Sequence, residues 1–294
     1  MLLNTAKVFY RYLYSIVNVN NLLSHGFANK LPDLDISKVK TSDTLFILGS
    51  GASVNDFTDR QWEEIGKHDS IGINYWVIHE FVPRYLMFEL PFPPRDKYFF
   101  DALEFRKEKY KNVPIIFKGL YRNRSTFGDF KSLVAKFPSS LLKNMYLGKE
   151  FAINAKTKDE FAQTLNRLNK IGFFRARKRM RTLAQHRGTI SCAIIFGIKS
   201  GYKKIVLCGV ELNNDKYFYS ERSEYYKSLG IVTPETGQVG ANHLTNTALS
   251  SAIPISHSIF MMKDFFKENY KIDLEVAITG SVLYPELNLY NWQS

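Results

Sequence analysis

Three histidines in the second half of the chain are candidates for proton transfer. His186, His243 and His257 lie in or beside two irregular stretches, and histidine has an unperturbed pKa suited to taking a proton from a hydroxyl near neutral pH. His243 is the strongest candidate, because Asn246 and Thr247 follow it closely and can orient its ring. The spacing therefore favours a general base at His243.

A long polar insertion, residues 212–256, carries side chains that can help a phosphate to leave. Its neutral and cationic hydrogen-bond donors are Tyr217, Tyr219, Arg222 and Tyr225. The chain has a single Asp-x-Asp pair, Asp33-Leu-Asp35, which precedes the first predicted strand, where a capping role is expected. Long loops inside a compact domain are usually lids or binding loops, so we expect a lid over a site that uses no metal.

A turn of small residues, Gly49-Ser50-Gly51-Ala52-Ser53, follows the first strand candidate. Such a turn lets the backbone approach a ligand, and its amides can donate to a phosphate. Val54 stands where the dinucleotide fingerprint needs a third glycine, and the turn has no Walker lysine followed by Ser or Thr. A NAD enzyme and a P-loop NTPase are therefore disfavoured, which leaves another nucleotide site or a plain tight turn.

Composition and charge limit the function classes. With 294 residues, 45% hydrophobic and 15% aromatic, the chain can bury a large core. Its 40 Lys and Arg against 28 Asp and Glu give a net charge of +12, which indicates an anionic partner. Cys192 and Cys208 lie in apolar runs, which excludes a disulfide framework and favours a reducing compartment. No apolar stretch has the ~20 residues of a spanning helix, and no signal-peptide pattern occurs, so we expect a cytoplasmic protein.

From residue 44 onward, short apolar runs alternate with longer amphipathic segments, a pattern typical of βα units and a mainly parallel sheet. The strand candidates are Leu45–Leu48, Ser70–Ile73, Tyr85–Phe88, Val113–Phe117, Ile205–Cys208 and Leu274–Ile278. Helices are predicted over 159–170, 190–200 and 257–269. Because the second of these is nearly all apolar, we expect it to be buried on the sheet, with Thr189 as its cap and Gly201 at its end.

The N-terminal region is predicted to be an amphipathic helix with a basic side. Its apolar positions are Leu2, Ala6, Phe9, Tyr10, Leu13, Ile16 and Val17. Such a helix either packs on the main body or binds a membrane surface or a partner. Residues 29–33 are predicted to be a linker, so residues 1–40 precede a main domain at 41–290. A basic run at 173–187 either grips phosphate or lipid headgroups or is a solvated helix face.

Four motifs, spread over most of residues 43–280, carry a family resemblance. They are Ile47–Ser53, Gly72–Tyr75, Gly201–Glu211, and His243–Thr247 ahead of a helix that ends in Asn269–Ile272. In this order they resemble the bacterial sialyltransferases of glycosyltransferase family 42, the lipooligosaccharide enzymes that use CMP-sialic acid.

The resemblance implies an α/β fold, a single Rossmann-like domain of the GT-A type with a mainly parallel sheet, helices on both faces and a lid insertion. It also implies a CMP-activated acidic sugar as donor, direct displacement with a histidine base, and no metal or other cofactor. By position, Ser50 and Gly51, with Gly49 in the same turn, contact the nucleotide phosphate, and Asn74 binds the cytidine portion.

The remaining site residues are carried over in the same way. Thr189 stands where a serine holds the sugar carboxylate, and Gly209 belongs to the third motif beside the donor. Tyr219 matches one of two lid tyrosines that stabilise the departing phosphate. His243 matches the base that deprotonates the acceptor hydroxyl.

The sequence departs from the family pattern at several positions. Asn213 stands at the other lid tyrosine, so Tyr217 is the candidate substitute. Glu89 and Leu90 occupy the region where the family offers an asparagine to the donor. A lid-edge arginine of the family aligns with His186, which leaves Arg187 as the nearest candidate. The stretch between His243 and Tyr270 is longer than the family pattern, so His257 is a rival base.

The chain is therefore predicted to move a sialic acid-type (nonulosonic) sugar from its CMP donor to a hydroxyl of a cell-surface glycan, such as lipooligosaccharide or capsule. The alternatives are a CMP-Kdo or CMP-pseudaminic or legionaminic acid transferase, and a noncatalytic glycan-assembly protein with a transferase fold. Nucleic-acid binding is disfavoured, because no recognised motif occurs. The expected partners are the donor, a glycan or glycolipid acceptor, the inner-membrane surface as a peripheral site, and further copies of the chain in a homo-oligomer.

Overall fold

A computed structural model of the protein describes residues 2–121, 128–213, 216–235, 243–249 and 252–292. Within these residues, nine strands form one sheet in which every neighbouring pair is parallel, and two further strands pair separately. The strands are β1 (Asn29–Lys30), β2 (Thr44–Leu48), β3 (Asp69–Ile73), β4 (Tyr85–Glu89), β5 (Ile115–Lys118), β6 (Met145–Leu147), β7 (Glu150–Ala152), β8 (Leu183–Gln185), β9 (Lys204–Cys208), β10 (Asp273–Val276) and β11 (Asn288–Leu289). The large sheet has the order β1-β6-β5-β4-β3-β2-β9-β10-β11, and β7 pairs with β8.

Helices cover both faces of the large sheet. They are α1 (Leu2–Ser24), α2 (Asp59–Gly66), α3 (Asp96–Tyr110), α4 (Phe130–Ala135), α5 (Lys158–Lys170), α6 (Thr189–Lys199), α7 (Phe218–Glu221), α8 (Ser223–Ser228) and α9 (Ile255–Tyr270). Successive side chains of β2 enter opposite cores, as a strand period of two requires. Leu45 and Ile47 pack with α5, α6 and α9, whereas Phe46 and Leu48 pack with α1, α2, α3 and α4. The predicted mainly parallel α/β fold, with helices on both faces, is confirmed.

The predicted elements around the central strands agree with the structure to within a few residues, because they are strongly apolar and bounded by polar turns. The prediction of Thr189 as a cap is wrong, since Gly188 is the N-cap of α6 and Thr189 is its first helical residue. Every residue of α6 is buried, as expected. Gly201 follows the helix with a positive φ of 79°, the conformation in which glycine ends helices at low cost.

The predicted linker at 29–33 is instead the edge of the sheet. Asn29 and Lys30 form β1 and pair with Tyr146 and Leu147 of β6, and the next residue, Leu31, is fully buried. Pro32 interrupts the apolar periodicity of the sequence, but it lies in a short 3-10 turn over Leu31–Asp33. The N-terminal region is thereby joined to the main core.

The long insertion contains helices that the sequence pattern did not predict. Phe218 in α7, Tyr226 in α8 and Ile231 after α8 are buried in the core. Buried aromatic side chains therefore anchor this part of the predicted lid. Residues 214–215, 236–242 and 250–251 of the insertion lie outside the described residues.

The structure confirms the predictions for the two aspartates and the two cysteines, but not the helical alternative for the basic run. Asp33 and Asp35 accept hydrogen bonds from the amides of Lys30 and Ser37, so they are caps as expected. Cys192 and Cys208 are buried and free. Of the two alternatives for the basic run, the solvated helix face is wrong, because residues 175–181 are not helical. Among the described residues, none of the helices combines the length and apolar character needed to cross a bilayer.

Candidate functional site

The candidate site is a cleft of about 390 Å³ at the carboxyl ends of β2, β3, β4 and β9. The chain passes from β2 to β3 on one side and places β9 on the other, and open parallel sheets bind ligands at such a switch in strand order. Ten of the site residues that the sequence predicts line this cleft: Gly49, Ser50, Gly51, Asn74, Arg187, Thr189, Gly209, Tyr217, Tyr219 and His243. The other two predicted donors, Arg222 and Tyr225, do not: Arg222 pairs with Glu80 at 3.4 Å and lies over the Tyr225 ring. The tertiary structure thus brings together residues from four sequence motifs.

The glycine turn after β2 contacts the loop after β9 backbone to backbone. A Cβ at Gly49 would lie 2.4 Å from the carbonyl oxygen of Gly209, and one at Gly209 would lie 2.7 Å from that of Gly49. The amides of Gly49 and Gly51 donate to the carbonyls of Cys208 and Gly209 at 2.8 and 2.9 Å. These two amides are therefore engaged within the protein, and a phosphate contact from this turn is expected from Ser50.

The carboxylate of Glu211 occupies the space beside Gly51. A Cβ at Gly51 would lie 1.6 Å from Glu211 Oε2, and Glu211 Oε1 accepts a hydrogen bond from the Ser53 amide at 3.0 Å. Only glycine leaves room for this arrangement. An anionic ligand at this end of the cleft must therefore be balanced by cations from other segments.

Asn74 connects the ends of two strands with the start of α6. Its φ is 53°, a left-handed conformation that asparagine adopts more readily than most residues. Asn74 Oδ1 accepts hydrogen bonds from the Glu89 amide and from the Thr189 hydroxyl, both at 3.3 Å. The side chains predicted to bind the nucleotide and the sugar carboxylate are thus in direct contact.

Glu89, which lines the cleft, forms an ion pair with a buried lysine. Lys118 is fully buried, and its Nζ lies 2.5 Å from Glu89 Oε2 and also donates to Gln185 Oε1. Burial alone would lower the pKa of Lys118, but the carboxylates of Glu150 and Glu89 raise it, so the ammonium is charged. A Cβ at Gly119 would lie 2.5 Å from Glu89 Cγ. Glu89 is therefore held in place from two sides.

His243 contacts Tyr217 through one ring nitrogen and Thr245 through the other. Nε2 lies 3.2 Å from the Tyr217 hydroxyl, and Nδ1 lies 2.7 Å from Thr245 Oγ1. The expectation that Asn246 and Thr247 orient the ring is not met, because the hydroxyl two residues after His243 does so. The backbone amide of Asn246 donates to the His243 carbonyl instead, at 2.7 Å.

The two predicted leaving-group tyrosines stack on each other. The rings of Tyr217 and Tyr219 are 5.4 Å apart and nearly parallel, at 11°. Tyr219 is only 2% exposed, and burial, followed by the neighbouring Tyr217, raises its pKa well above the ordinary value. Tyr217 lies between Tyr219 and His243, so it is the tyrosine next to the candidate base. Asn213, at the position of the family's other lid tyrosine, does not line the cleft. Its side-chain amide donates to the Gly280 carbonyl at 3.2 Å.

Arg187 holds the segment that carries His243. Its Nη2 donates to the Leu244 carbonyl at 2.9 Å, and its Nη1 donates to the Thr247 carbonyl. Arg187 has a φ of 59°, which directs the chain from β8 toward this contact. The predicted donor-binding arginine therefore lines the cleft while it also fastens residues 243–249.

Two cations in the cleft are absent from the set of residues that the sequence predicts. Arg95 precedes α3 and donates to the Glu235 carbonyl at 3.1 Å. Lys216 lies 3.4 Å from Glu221 and precedes Tyr217. Lys216 could have been found from the sequence, because it directly precedes the lid residue Tyr217. Arg95 could not, because it lies in none of the four motifs. Both line the cleft and can balance an anionic ligand.

The rival histidines lie elsewhere. His186 is buried, and its ring nitrogens lie 2.9 and 3.2 Å from the carbonyls of Ile153 and Ile253. Burial lowers its pKa. His257 belongs to α9 and does not line the cleft. Of the three candidates, His243 is the one that the structure places in the cleft.

Backbone strain is concentrated around the cleft. Among the described residues, four other than glycine have a positive φ: Asn74, Arg187, Leu212 and Lys271. The first three line the cleft, whereas Lys271 ends α9 as its C-cap. Such conformations cost about 1–3 kcal/mol each and occur preferentially at functional sites. Their clustering independently marks this cleft as the functional one.

No family model matches the chain, and no curated protein matches it. Solved sialyltransferases resemble it in structure. CstII from Campylobacter jejuni in complex with the substrate analogue CMP-3FNeuAc has a TM-score of 0.41 and 14% identity, over 85% of this chain and 86% of that one. CstII in complex with a trisaccharide acceptor and CMP has a TM-score of 0.42 and 15% identity, over 85% and 86%. The apo α-2,3-sialyltransferase from Campylobacter jejuni has a TM-score of 0.40 and 13% identity, over 85% and 80%.

Proposed function

We propose that the protein is a glycosyltransferase that moves a sialic acid-type sugar from its CMP donor to a hydroxyl of a cell-surface glycan. The observation that carries this proposal is the His243–Tyr217 pair, 3.2 Å between Nε2 and the hydroxyl, in a cleft at the switch in strand order. A base and a neutral hydrogen-bond donor side by side serve the two ends of a displacement reaction. The CMP-sugar class comes from the resemblance of the sequence motifs.

The proposed step forms one bond and breaks one. The acceptor oxygen bonds to the anomeric carbon while the bond from that carbon to the CMP phosphate oxygen breaks. His243 Nε2 takes the hydroxyl proton. In this step Nδ1 carries the ring proton and donates it to Thr245 Oγ1 at 2.7 Å, in place of accepting from the Thr245 backbone amide at 3.3 Å. The Tyr217 hydroxyl turns its proton from Nε2 to the leaving phosphate. The electron pair leaves on the phosphate, where Tyr217 donates a hydrogen bond and Lys216 supplies positive charge.

The sugar carboxylate is expected to face the start of α6. The N-cap of this eleven-residue helix, Gly188, and its first two residues, Thr189 and Ile190, line the cleft. Among the described residues, no side chain caps its N-terminus. Helix N-termini favour anions. On the other side of Asn74, the carboxylate of Glu89 repels them. The carboxylate of the donor sugar is therefore expected to point toward the start of α6 and away from Glu89. Kdo and pseudaminic or legionaminic acids also carry a carboxylate, so their CMP derivatives remain alternative donors.

Substitution of the histidines tests the proposal. His243→Asn is expected to lower transfer from CMP-activated acidic sugars by about 10²–10⁴-fold and to keep CMP binding, measured by calorimetry in EDTA with UMP, GMP and AMP as controls. His257→Asn is the matched control and is expected to keep both. Equal transfer by the two variants would remove His243 as the base. Failure of the wild-type protein to prefer CMP would overturn the donor class, and a need for added metal would overturn metal independence.

The predicted cytoplasmic location and homo-oligomer belong to the same proposal. A donor made of a nucleotide and an anionic sugar suits the protein's charge of +12. Analytical ultracentrifugation measures the oligomeric state, and a purely monomeric protein at working concentration would contradict the homo-oligomer.

A further inference from the structure

Helix α1 turns large apolar side chains to solvent. Phe9, Tyr10, Leu13 and Val17 are 61%, 58%, 42% and 54% exposed. Phe9, Leu13 and Val17 are spaced by four residues, so they lie on one face of the helix, with Tyr10 beside them. We call these four residues the α1 stripe. A contiguous exposed apolar row on a protein surface marks an interaction site.

The opposite face of α1 attaches the helix to the body. Val19 and Leu22 are buried in the core with α2, α3 and α4. Asn18 is 2% exposed and donates to the Leu120 carbonyl at 2.8 Å. Turning the helix to bury the stripe would break this hydrogen bond and expose Leu22. The stripe therefore faces outward in the folded protein because the other face is already in use.

Basic side chains lie beside the stripe. Tyr12 of α1 contacts the Thr182 hydroxyl at 3.5 Å, and α1 packs against β7, which pairs with β8. Thr182 ends the basic segment, which we define by its exposed members Arg175, Arg177, Lys178, Arg179 and Arg181. Arg181 precedes Thr182 directly, so the basic segment reaches the flank of α1 that Tyr12 occupies, next to Phe9 of the stripe.

We propose that the α1 stripe and the basic segment form a docking surface for an anionic lipid bilayer. An amphipathic helix that inserts apolar side chains beside Lys and Arg binds such a surface in the plane of its headgroups. A second copy of the chain fits less well, because a symmetric contact through the stripe would bring two basic segments together. This docking goes beyond the proposed transfer reaction and does not depend on it.

The docking surface is close to the cleft along the chain. Strand β8 (Leu183–Gln185) starts directly after Thr182, and Arg187 in the cleft follows two residues after its end, so five residues separate the two points by at most about 17 Å. A bilayer bound at the α1 stripe would therefore lie near the cleft. A lipid-linked acceptor is the kind of substrate that this placement serves.

Vesicle sedimentation with the full-length chain tests the proposal. We expect binding to phosphatidylcholine vesicles that contain phosphatidylglycerol, and weak binding to phosphatidylcholine alone. Phe9→Glu with Leu13→Glu is expected to weaken binding by about ten- to a hundredfold, because two inserted side chains are lost. Phe105→Glu, at a 51% exposed phenylalanine of α3, is the matched control and is expected to bind as the wild type does.

Charge reversal tests the basic half of the surface. Lys178→Glu with Arg181→Glu is expected to weaken binding to the anionic vesicles by about tenfold or more. Lys109→Glu with Lys227→Glu changes the net charge equally at exposed positions on α3 and α8 and is expected to have a smaller effect. Equal losses in the two pairs would show that net charge alone acts and would overturn the docking surface.

Tryptophan fluorescence is a second readout of insertion into the bilayer. Tyr10→Trp is expected to show a blue shift in fluorescence when anionic vesicles are added. Unchanged vesicle binding by the stripe variant, Phe9→Glu with Leu13→Glu, would overturn the proposal. So would a wild-type protein that does not bind vesicles together with a stripe variant that has lost self-association. Circular dichroism verifies that each variant folds. Transfer to a soluble acceptor is expected to be unchanged in the stripe variant, so failure of docking and failure of the proposed function are distinguishable.

Discussion

His243 has one ring nitrogen engaged by a neighbour in the chain and the other directed at Tyr217. The Nδ1 contact with Thr245 Oγ1, at 2.7 Å, is shorter than the Nε2 contact with Tyr217, at 3.2 Å. Nδ1 also lies 3.3 Å from the Thr245 backbone amide and can accept from it. A base at Nε2 requires the other arrangement, in which Nδ1 carries the ring proton and donates it to Thr245 Oγ1. Thr245 is therefore a positioning residue for the proposed reaction.

Removal of the Thr245 hydroxyl is expected to slow transfer. Thr245→Val keeps the shape of the side chain but removes the acceptor for Nδ1–H, so kcat should fall by about tenfold with little change in the KM for the donor. The pH–rate profile should shift, whereas Thr245→Ser should restore both. Thr247→Val is the control, because Thr247 contacts Arg187 through its backbone carbonyl. A kcat that falls equally in the two valine variants would contradict the role of the Thr245 hydroxyl.

At the level of the elements, Arg187 joins the end of β8 to the segment 243–249. The guanidinium donates to two carbonyls of that segment, those of Leu244 and Thr247, and the next residues begin α6. The start of α6 and the segment that carries His243 are thus fastened at one position. This explains why a positive φ is retained at a residue other than glycine.

Loss of the Arg187 side chain is expected to release the base from the cleft. Arg187→Ala should make residues 243–249 more accessible to limited proteolysis and should lower kcat/KM by about tenfold or more. Arg167→Ala, at an exposed arginine of α5, is the control and should behave as the wild type. Unchanged proteolysis in Arg187→Ala would show that the segment is held by its other contacts.

For the whole molecule, a buried histidine makes stability depend on pH. His79 is 5% exposed, its ring stacks on Trp76 at 4.4 Å, and its Nδ1 accepts a hydrogen bond from the Phe81 amide at 3.0 Å. Burial lowers its pKa from 6.5 to about 4. The folded protein therefore binds fewer protons than the unfolded chain between these two values, and stability decreases as the pH falls through that range.

The expected loss is measurable by denaturant unfolding. Between about pH 7 and about pH 5, the free energy of unfolding should fall by about 2 kcal/mol through His79 alone. His79→Asn should be less stable near neutral pH but should show a smaller decrease over the same interval. An equal pH dependence in the wild type and the variant would contradict a neutral, buried His79.

The sequence by itself determined the fold class and, through the resemblance of four motifs, ten residues of the candidate site. Apolar runs such as those of β2 and β9 are local patterns, and the short turns after parallel strands necessarily meet at one edge of the sheet. Residues named from four motifs, among them Ser50, Asn74 and His243, therefore line one cleft. Patterns of this kind depend on near neighbours in the chain, which is why they can be read without a structure.

Only the tertiary structure decided how the side chains are used. The contacts of Lys118 with Glu89 and of Arg187 with Thr247 join positions far apart in the sequence, and no local pattern specifies such pairs. The sequence predicts one apolar face for α1, but packing buries Asn18 and Val19 and leaves Phe9 in solvent. A helix can bury only the face that its neighbours accommodate, and that choice is made by the surrounding elements.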